Sequence, residues 1–350
     1  MRHPVVEDDL RRIAGAPLPW SAFAGKTVLV SGAAGFLPAY MVETLLFLNE
    51  THLQKGPVKI IGLVRNQEGA QKRFAHYDGR PDLVLKEHDV CQPFQSDEQI
   101  HFIIHAASHA SPLHYRRDPV GTLGPNVLGT HHLLSLANAY HAERFLFFSS
   151  GDVYGHVSSA QIPTKETEYG PLDPLDVRSC YGESKRMGEN MCVSWHHQHG
   201  IPVTIVRPSH TYGPGMRLDD GRVFADFVAD VSAGRDIVMK SDGSARRTFC
   251  YLADAVEAFF TVLLQGKPGE AYNVSNEACE RSILQLAEIL ASLFPEKGIR
   301  VIEQERTDAD PYMPSPFPRT CLDTTKIRSL GWKPTTSVEE GFRRTILSFP

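Results

Sequence analysis

The chain has 350 residues, 42% of them hydrophobic and 22% charged, with a formal net charge of −5. A mildly acidic chain has no global electrostatic reason to bind nucleic acid or a membrane surface, and apolar runs such as Phe145–Phe148 are too short to cross a bilayer. Six cysteines lie far apart with no CxxC pair, which predicts reduced thiols in a cytoplasmic protein rather than a disulfide framework.

Roughly the first 25 residues read as an N-terminal extension. Arg2, Glu7, Asp8, Asp9, Arg11 and Arg12 crowd it and leave no apolar core for a signal peptide. Strand and helix signals then alternate. Strands are predicted at Thr27–Ser31, Val58–Val64, Leu83–Lys86 (the weakest), Phe102–Ala106, Arg144–Ser149 and Pro202–Arg207. Helical spacing marks Met41–Leu48, Val127–Tyr140 and Tyr181–His199. This rhythm predicts an α/β fold: a Rossmann-like doubly wound parallel sheet over residues 26–207, with later returns near 249–275. After Pro208, glycines, prolines and charges crowd Thr211–Arg222 and Lys240–Arg247. One strand (Ala271–Val274), one helix (Ser282–Leu293) and a proline-rich loop (Asp308–Pro318) follow. Residues 208–350 therefore read mainly as a smaller substrate-binding lobe.

The first strand runs into Gly32-Ala-Ala-Gly35-Phe-Leu-Pro38 and then a helix. Glycine permits the tight turn and lets backbone approach a pyrophosphate, which sits at the positive end of the helix. Pro38 departs from the usual small residue but is tolerable in a helix's first turn. The second strand ends in Val64-Arg65-Asn66, without the carboxylate that often meets the adenosine ribose of NAD. Arg65 is equally compatible with a 2′-phosphate, hence NADP, with stacking on adenine, or with a plain surface position. Asp89 and Val90, after the third strand, fall where an adenine contact is expected.

Tyr181-Gly-Glu-Ser-Lys185 puts tyrosine and lysine at i and i+4, on one face of a helix. A phenol near its reference pKa of about 10 is a poor base at neutral pH, and a close ammonium lowers that value. A hydroxyl at a strand end completes such a site by orienting a sugar hydroxyl, and Ser149 and Ser150 follow the strand Arg144–Phe148. A bare YxxxK is common by chance. Following a glycine turn, a strand, Ser-Ser and Tyr154-Gly155, it is not.

With these motifs, and with His105-Ala-Ala-Ser108, Asn126–Thr130, Arg207-Pro208 and Gly213-Pro214, the chain from about Lys26 onward resembles the extended short-chain dehydrogenase/reductases that act on nucleotide sugars as epimerases, dehydratases and decarboxylases. It is most similar to UDP-glucuronate decarboxylases (UDP-xylose synthases), through His105–Pro112, Gly213–Phe227 and Ser244–Tyr251. The resemblance implies that Tyr181 takes the proton of the sugar 4-hydroxyl while hydride passes to NAD, with Lys185, Ser150 and Asp152 completing the catalytic set. It implies cofactor contacts at Gly32, Gly35, Phe36, Leu37, Arg65, Asp89, Val90, Ala106, Ala107, Ser108, Lys185 and Pro208. His109, His210, Arg222 and Arg247 would meet the substrate, the two arginines through its diphosphate, nucleotide or acid. A homodimer through the helices Val127–Tyr140 and Tyr181–His199 is a further implication.

Two positions leave the family pattern. His210 stands where the family usually has Asn, and Ser150-Gly151-Asp152 replaces the decarboxylases' Thr-Ser-Glu. Gly151 removes half of the Asp-Glu pair a 4,6-dehydratase needs, so dehydration is disfavoured. Decarboxylation would use Asp152 as a shortened glutamate, whereas 4-epimerisation needs no acid–base pair there and is the alternative. A third class is a non-catalytic NAD(P)-binding regulator or scaffold, against which the intact Ser150, Tyr181 and Lys185 speak. Sixteen histidines include His196, His197 and His199, but without a pattern such as HExxH no metal is expected.

Overall fold

The computed structural model describes residues 2–304 and 317–349. Its centre is a parallel sheet of β1 (Thr27–Ser31), β2 (Lys59–Val64), β3 (Leu83–Glu87), β4 (Phe102–His105), β5 (Arg144–Phe148), β6 (Val203–Pro208) and, after three short strands described below, β10 (Glu270–Val274). The spatial order is β3-β2-β1-β4-β5-β6-β10, every pairing parallel. β1, β4 and most of β2, β5 and β6 are buried along their length. That is why they read as continuous apolar runs. β3 is only half-buried, which explains its weak signal.

Chain order reverses between β1 and β4, and ligands of open parallel sheets bind beyond the strands' C-terminal ends at such a switch. Helices cover both faces. On one, Phe36–Thr51 packs with the N-terminal helix Pro4–Ala14 and with Leu252–Gln265. On the other, Thr130–Ala139 and Cys180–His199 bury Leu133, Leu134 and Cys192 against Phe145, Phe147 and Ile205.

The remaining strands are β7 (His210–Tyr212), β8 (Ile237–Met239), β9 (Arg246–Tyr251), β11 (Glu280–Ser282), β12 (Val301–Glu303) and β13 (Arg319–Thr320). β9 pairs with β7, β11 and β13, while β8 pairs with β12. This part of the chain is more regular than the sequence suggests. β9 opens on two arginines, yet Arg247 is buried because backbone carbonyls of Arg246 and Phe317 receive its guanidinium, both at 2.7 Å. The proline-rich segment Asp308–Pro318, apart from its last two residues, lies outside the described residues.

The first 25 residues are not merely appended. Leu10, Ile13 and Ala14 are buried, and the Asp9 carboxylate accepts from the hydroxyls of Tyr40 (2.8 Å) and Tyr251 (2.6 Å) and from Arg344 (2.7 Å). The Met41–Leu48 pattern is the middle of the longer helix Phe36–Thr51. The Val127–Tyr140 pattern resolves into a π-helical turn, Pro125–Gly129, feeding the helix Thr130–Ala139.

Candidate active site

The glycine turn lies beyond β1, against the end of β4. Gly32 has φ +66°, a left-handed conformation that glycine adopts without strain. A Cβ there would stand 2.8 Å from the Ala107 Cα. Gly35 caps the Phe36–Thr51 helix with no side chain over the N-terminus, which leaves Phe36 and Leu37 in an open first turn where backbone N–H groups attract anions. Pro38 is the third helical residue, where its missing N–H is no loss.

His105 anchors the segment that follows β4. Its Nδ1 lies 2.8 Å from Ser31 Oγ, and its Nε2 lies 3.1 Å from the Pro125 carbonyl. Ser31 Oγ in turn accepts from the N–H groups of Ala106 (3.1 Å) and Ala107 (3.2 Å). Burial, with Lys185 nearby, depresses the imidazole to about 3. A neutral ring donating from Nε2 and accepting at Nδ1 satisfies every contact. Beyond it, Ser108 Oγ is buried with no hydrogen-bond partner.

Arg65 and His109 come together, Arg65 Nη2 lying 2.8 Å from His109 Nε2. His109 thus sits at the end of β2, with its ring 4.4 Å from that of His114. Asp89 is exposed and accepts from the Cys91 N–H at 2.9 Å, while Val90 is buried against Gly129.

Tyr181 and Lys185 lie in the first turns of Cys180–His199, both buried. The Ser150 hydroxyl lies near enough to the Tyr181 phenol to oppose the rise in its pKa, and it accepts from the Asp152 N–H at 3.2 Å. Tyr115 stacks on the Tyr181 ring at 4.8 Å and 14°. Lys185 Nζ donates to the Phe148 carbonyl at 2.6 Å and lies 5.7 Å from the Tyr181 ring centre. Burial raises the phenol well above its ordinary value, Asp152 raises it further, and Ser150 opposes both. Burial also draws Lys185 down to about 7, so its ammonium and amine forms are close in free energy at neutral pH. The arrangement is a hydroxyl, a phenol and a titratable amine in a water-poor setting, suited to passing one proton.

Of the two serines after β5, the structure places Ser150, not Ser149, on the phenol. Ser149 Oγ is buried without a partner. Asp152 rides the 3-10 turn Gly151–Tyr154, which Arg186 pins through the Val153 carbonyl at 2.8 Å. A Cβ on Gly151 would lie 3.5 Å from Leu322 Cδ1, so Leu322 covers that position.

Asp152, Tyr115, His156, Leu172, Arg178 and Phe317 line a cleft of about 360 Å³. The Asp152 carboxyl reaches the cleft surface, yet the surrounding walls raise it above the ordinary range, against the lowering effect of Arg178, Arg222 and Arg247. His210 is held neutral, depressed to about 3 by burial and by the charges of Arg247 and Arg222. Arg222 contacts the Ala110 carbonyl (3.3 Å) and pairs with Asp220 (3.3 Å). Pro208 ends β6 and its carbonyl oxygen lies 3.8 Å from a Cβ built on Gly151. Cys180–His199 is braced from behind by Arg207, whose guanidinium meets Glu189 at 2.6 and 2.8 Å.

Arg178 and Tyr115 were missed by sequence reasoning. Arg178 precedes Tyr181 by three residues, a usable signal. Tyr115 carries none, since only the fold brings it beside Tyr181. Two of the histidines near the end of Cys180–His199 have local partners: His196 Nδ1 meets the Ile201 carbonyl at 2.7 Å, and His199 packs on Trp195 at 4.9 Å.

Residues 28–275 match the model of the NAD dependent epimerase/dehydratase family. UDP-glucuronic acid decarboxylase 6 of Arabidopsis thaliana is 34% identical over 331 residues, covering 93% of this chain and 90% of the relative. UDP-glucuronic acid decarboxylase 1 of Xenopus tropicalis is 31% identical over 326 residues, covering 93% and 72%. The solved structure of a UDP-glucuronic acid 4-epimerase from Bacillus cereus, in complex with UDP-glucuronic acid and NAD, aligns with a TM-score of 0.74 at 21% identity, covering 92% of this chain and 98% of that one.

Proposed function

This chain belongs to the NAD dependent epimerase/dehydratase family, and from that premise we propose that it is a decarboxylase of an acidic nucleotide sugar, with UDP-glucuronate as the substrate to test first. It is an enzyme that modifies nucleotide sugars with NAD. The observation that carries the finer assignment is the acid Asp152, which lines the cleft beside Tyr115 and Arg178 and lies close enough to Tyr181 to act on its phenol.

The cradle fits a dinucleotide. The left-handed Gly32 turn, the uncapped start of Phe36–Thr51 and the unpartnered Ser108 hydroxyl all suit a pyrophosphate and its riboses. Gly32, Gly35, Phe36 and Leu37 would hold the pyrophosphate, Arg65, Asp89 and Val90 the adenosine, and Ala106, Ala107, Ser108, Lys185 and Pro208 the remainder. When bound, the nicotinamide supplies a hydride acceptor and later a donor. Tyr181 accepts the proton of the sugar 4-hydroxyl in its phenolate form, reached when its own proton has first left to solvent, and Ser150 orients that hydroxyl. The 4-ketone so formed makes a carboxylate on carbon 5 a β-keto acid, which releases carbon dioxide. Asp152 supplies the proton to carbon 5 that replaces the lost carboxylate, and its raised pKa suits that role. Tyr181 then returns its proton to the 4-oxygen. Arg222 and Arg247 receive the diphosphate, and His109 and His210 border the sugar path.

Epimerisation at carbon 4 remains the second reading, because Asp152 is one methylene shorter than the relatives' glutamate. Incubation with UDP-glucuronate in deuterated water separates the two. A pentose product lighter by carbon dioxide, with one solvent deuterium at carbon 5, supports decarboxylation. A product of unchanged mass assigns epimerisation, and no conversion of any nucleotide sugar leaves a binding protein. Arg65 keeps NADP open as the cofactor, to be decided by the mass of the nucleotide released on denaturation. A homodimer is supported by the exposed apolar residues Val120, Leu128, Met187 and Val193 on or beside the two helices expected to pair. A monomeric mass in solution would exclude it.

A further inference from the structure

We propose that Arg178 receives the carboxylate of the sugar acid and so selects acidic over neutral nucleotide sugars; this rests on the nucleotide-sugar function proposed above. Arg178 lines the same cleft as Asp152 and Tyr115, and it is the middle residue of the 3-10 turn Val177–Ser179 that leads into the helix carrying Tyr181. It is half-buried. Among the described residues its guanidinium makes no hydrogen bond and no ion pair.

The other cations of the site are the ones assigned to the diphosphate, and their own partners hold them in place. Arg247 is fixed by carbonyls and Arg222 by Asp220 and a carbonyl. The cleft's other carboxylates are committed as well. Asp176 accepts from the Arg178 N–H at 2.9 Å, and Asp173 from the Leu175 N–H at 2.9 Å. Asp152 and Arg178 are therefore the two cleft charges whose side chains have no such partner among the described residues. They lie on the Tyr181 side, where the reacting end of the sugar belongs. A half-buried guanidinium without a hydrogen-bond partner is left with unused donors, and a planar carboxylate satisfies them through two parallel bonds. A neutral hydroxymethyl group in the same place does not. Because the carboxylate leaves as uncharged carbon dioxide, this contact is made in the ground state, and its loss should fall on binding more than on turnover.

The test compares wild type, Arg178→Gln and Arg178→Lys by calorimetric binding of UDP-glucuronate, UDP-glucose and UDP, alongside kcat and KM. Losing a charge-assisted contact should weaken UDP-glucuronate about ten- to hundred-fold, leave UDP and UDP-glucose within about two-fold, and raise KM more than it lowers kcat. Arg178→Lys should recover part of the affinity. Equal weakening of all three ligands, or unchanged UDP-glucuronate affinity in Arg178→Gln, overturns the assignment while the function stands if wild type still converts UDP-glucuronate. A wild type that neither binds nor converts UDP-glucuronate overturns both.

Discussion

Tyr181→Phe removes one oxygen from the centre of the site and nothing else. The ring stays stacked on Tyr115 at 4.8 Å, and the Ser150 hydroxyl still accepts from the Asp152 N–H. No buried group is stranded, and the structural loss is at most that of one hydrogen bond, about 0.5–1.5 kcal/mol. In a chain of this size that moves Tm by about 2 °C or less. The chemical loss is larger: a positioned acid–base group contributes about 10²–10⁴ in rate, or about 3–5 kcal/mol of barrier. Single-turnover rate, nucleotide content and thermal unfolding should therefore separate cleanly, with cofactor retained, melting nearly unchanged and turnover down at least a hundred-fold. A variant keeping more than about a tenth of wild-type turnover, where at least a hundred-fold loss is expected, would refute the assignment of the proton acceptor.

Gly32→Ala should cost about 1–2 kcal/mol for its left-handed backbone and force Ala107 away from a Cβ at 2.8 Å; the purified variant should carry markedly less dinucleotide, and full occupancy would contradict the cradle. His105 gives a pH dependence. Its pKa falls from 6.5 free to about 3 folded, so the neutral ring's contribution is complete above pH 6.5 and is lost on acidification toward pH 3, about 5 kcal/mol in all. Denaturant titrations should show stability declining over that range, and His105→Asn, though weaker at neutral pH, should decline less steeply. An unchanged slope would mean that other groups govern acid unfolding.

The sheet was legible because five of its strands are apolar along their length and each lies between turn signals. Tyr181 and Lys185 were legible because helical spacing alone puts them on one face. What stayed hidden depended on partners distant in sequence. Lys240–Arg247 looks like a polar, charge-crowded stretch until the carbonyls of Phe317 and Pro318, just before β13, receive the Arg247 guanidinium. Asp9 looks solvent-exposed until Tyr40, Tyr251 and Arg344 close around it. The choice between Ser149 and Ser150 turns on which hydroxyl the extended backbone at Ser150 aims at the phenol. Arg178 gained meaning only when its neighbours' carboxylates proved to be engaged elsewhere.

The central claim is transient oxidation at carbon 4 followed by loss of the acid at carbon 5. UDP-glucuronate carrying deuterium on carbon 4 tests both halves at once, by mass spectrometry and NMR of the product. The account predicts a pentose product lighter by carbon dioxide, with the deuterium still on carbon 4 because the hydride returns to the carbon it left. A product that keeps its carboxylate, or one whose carbon 4 has exchanged its label with solvent, would contradict it.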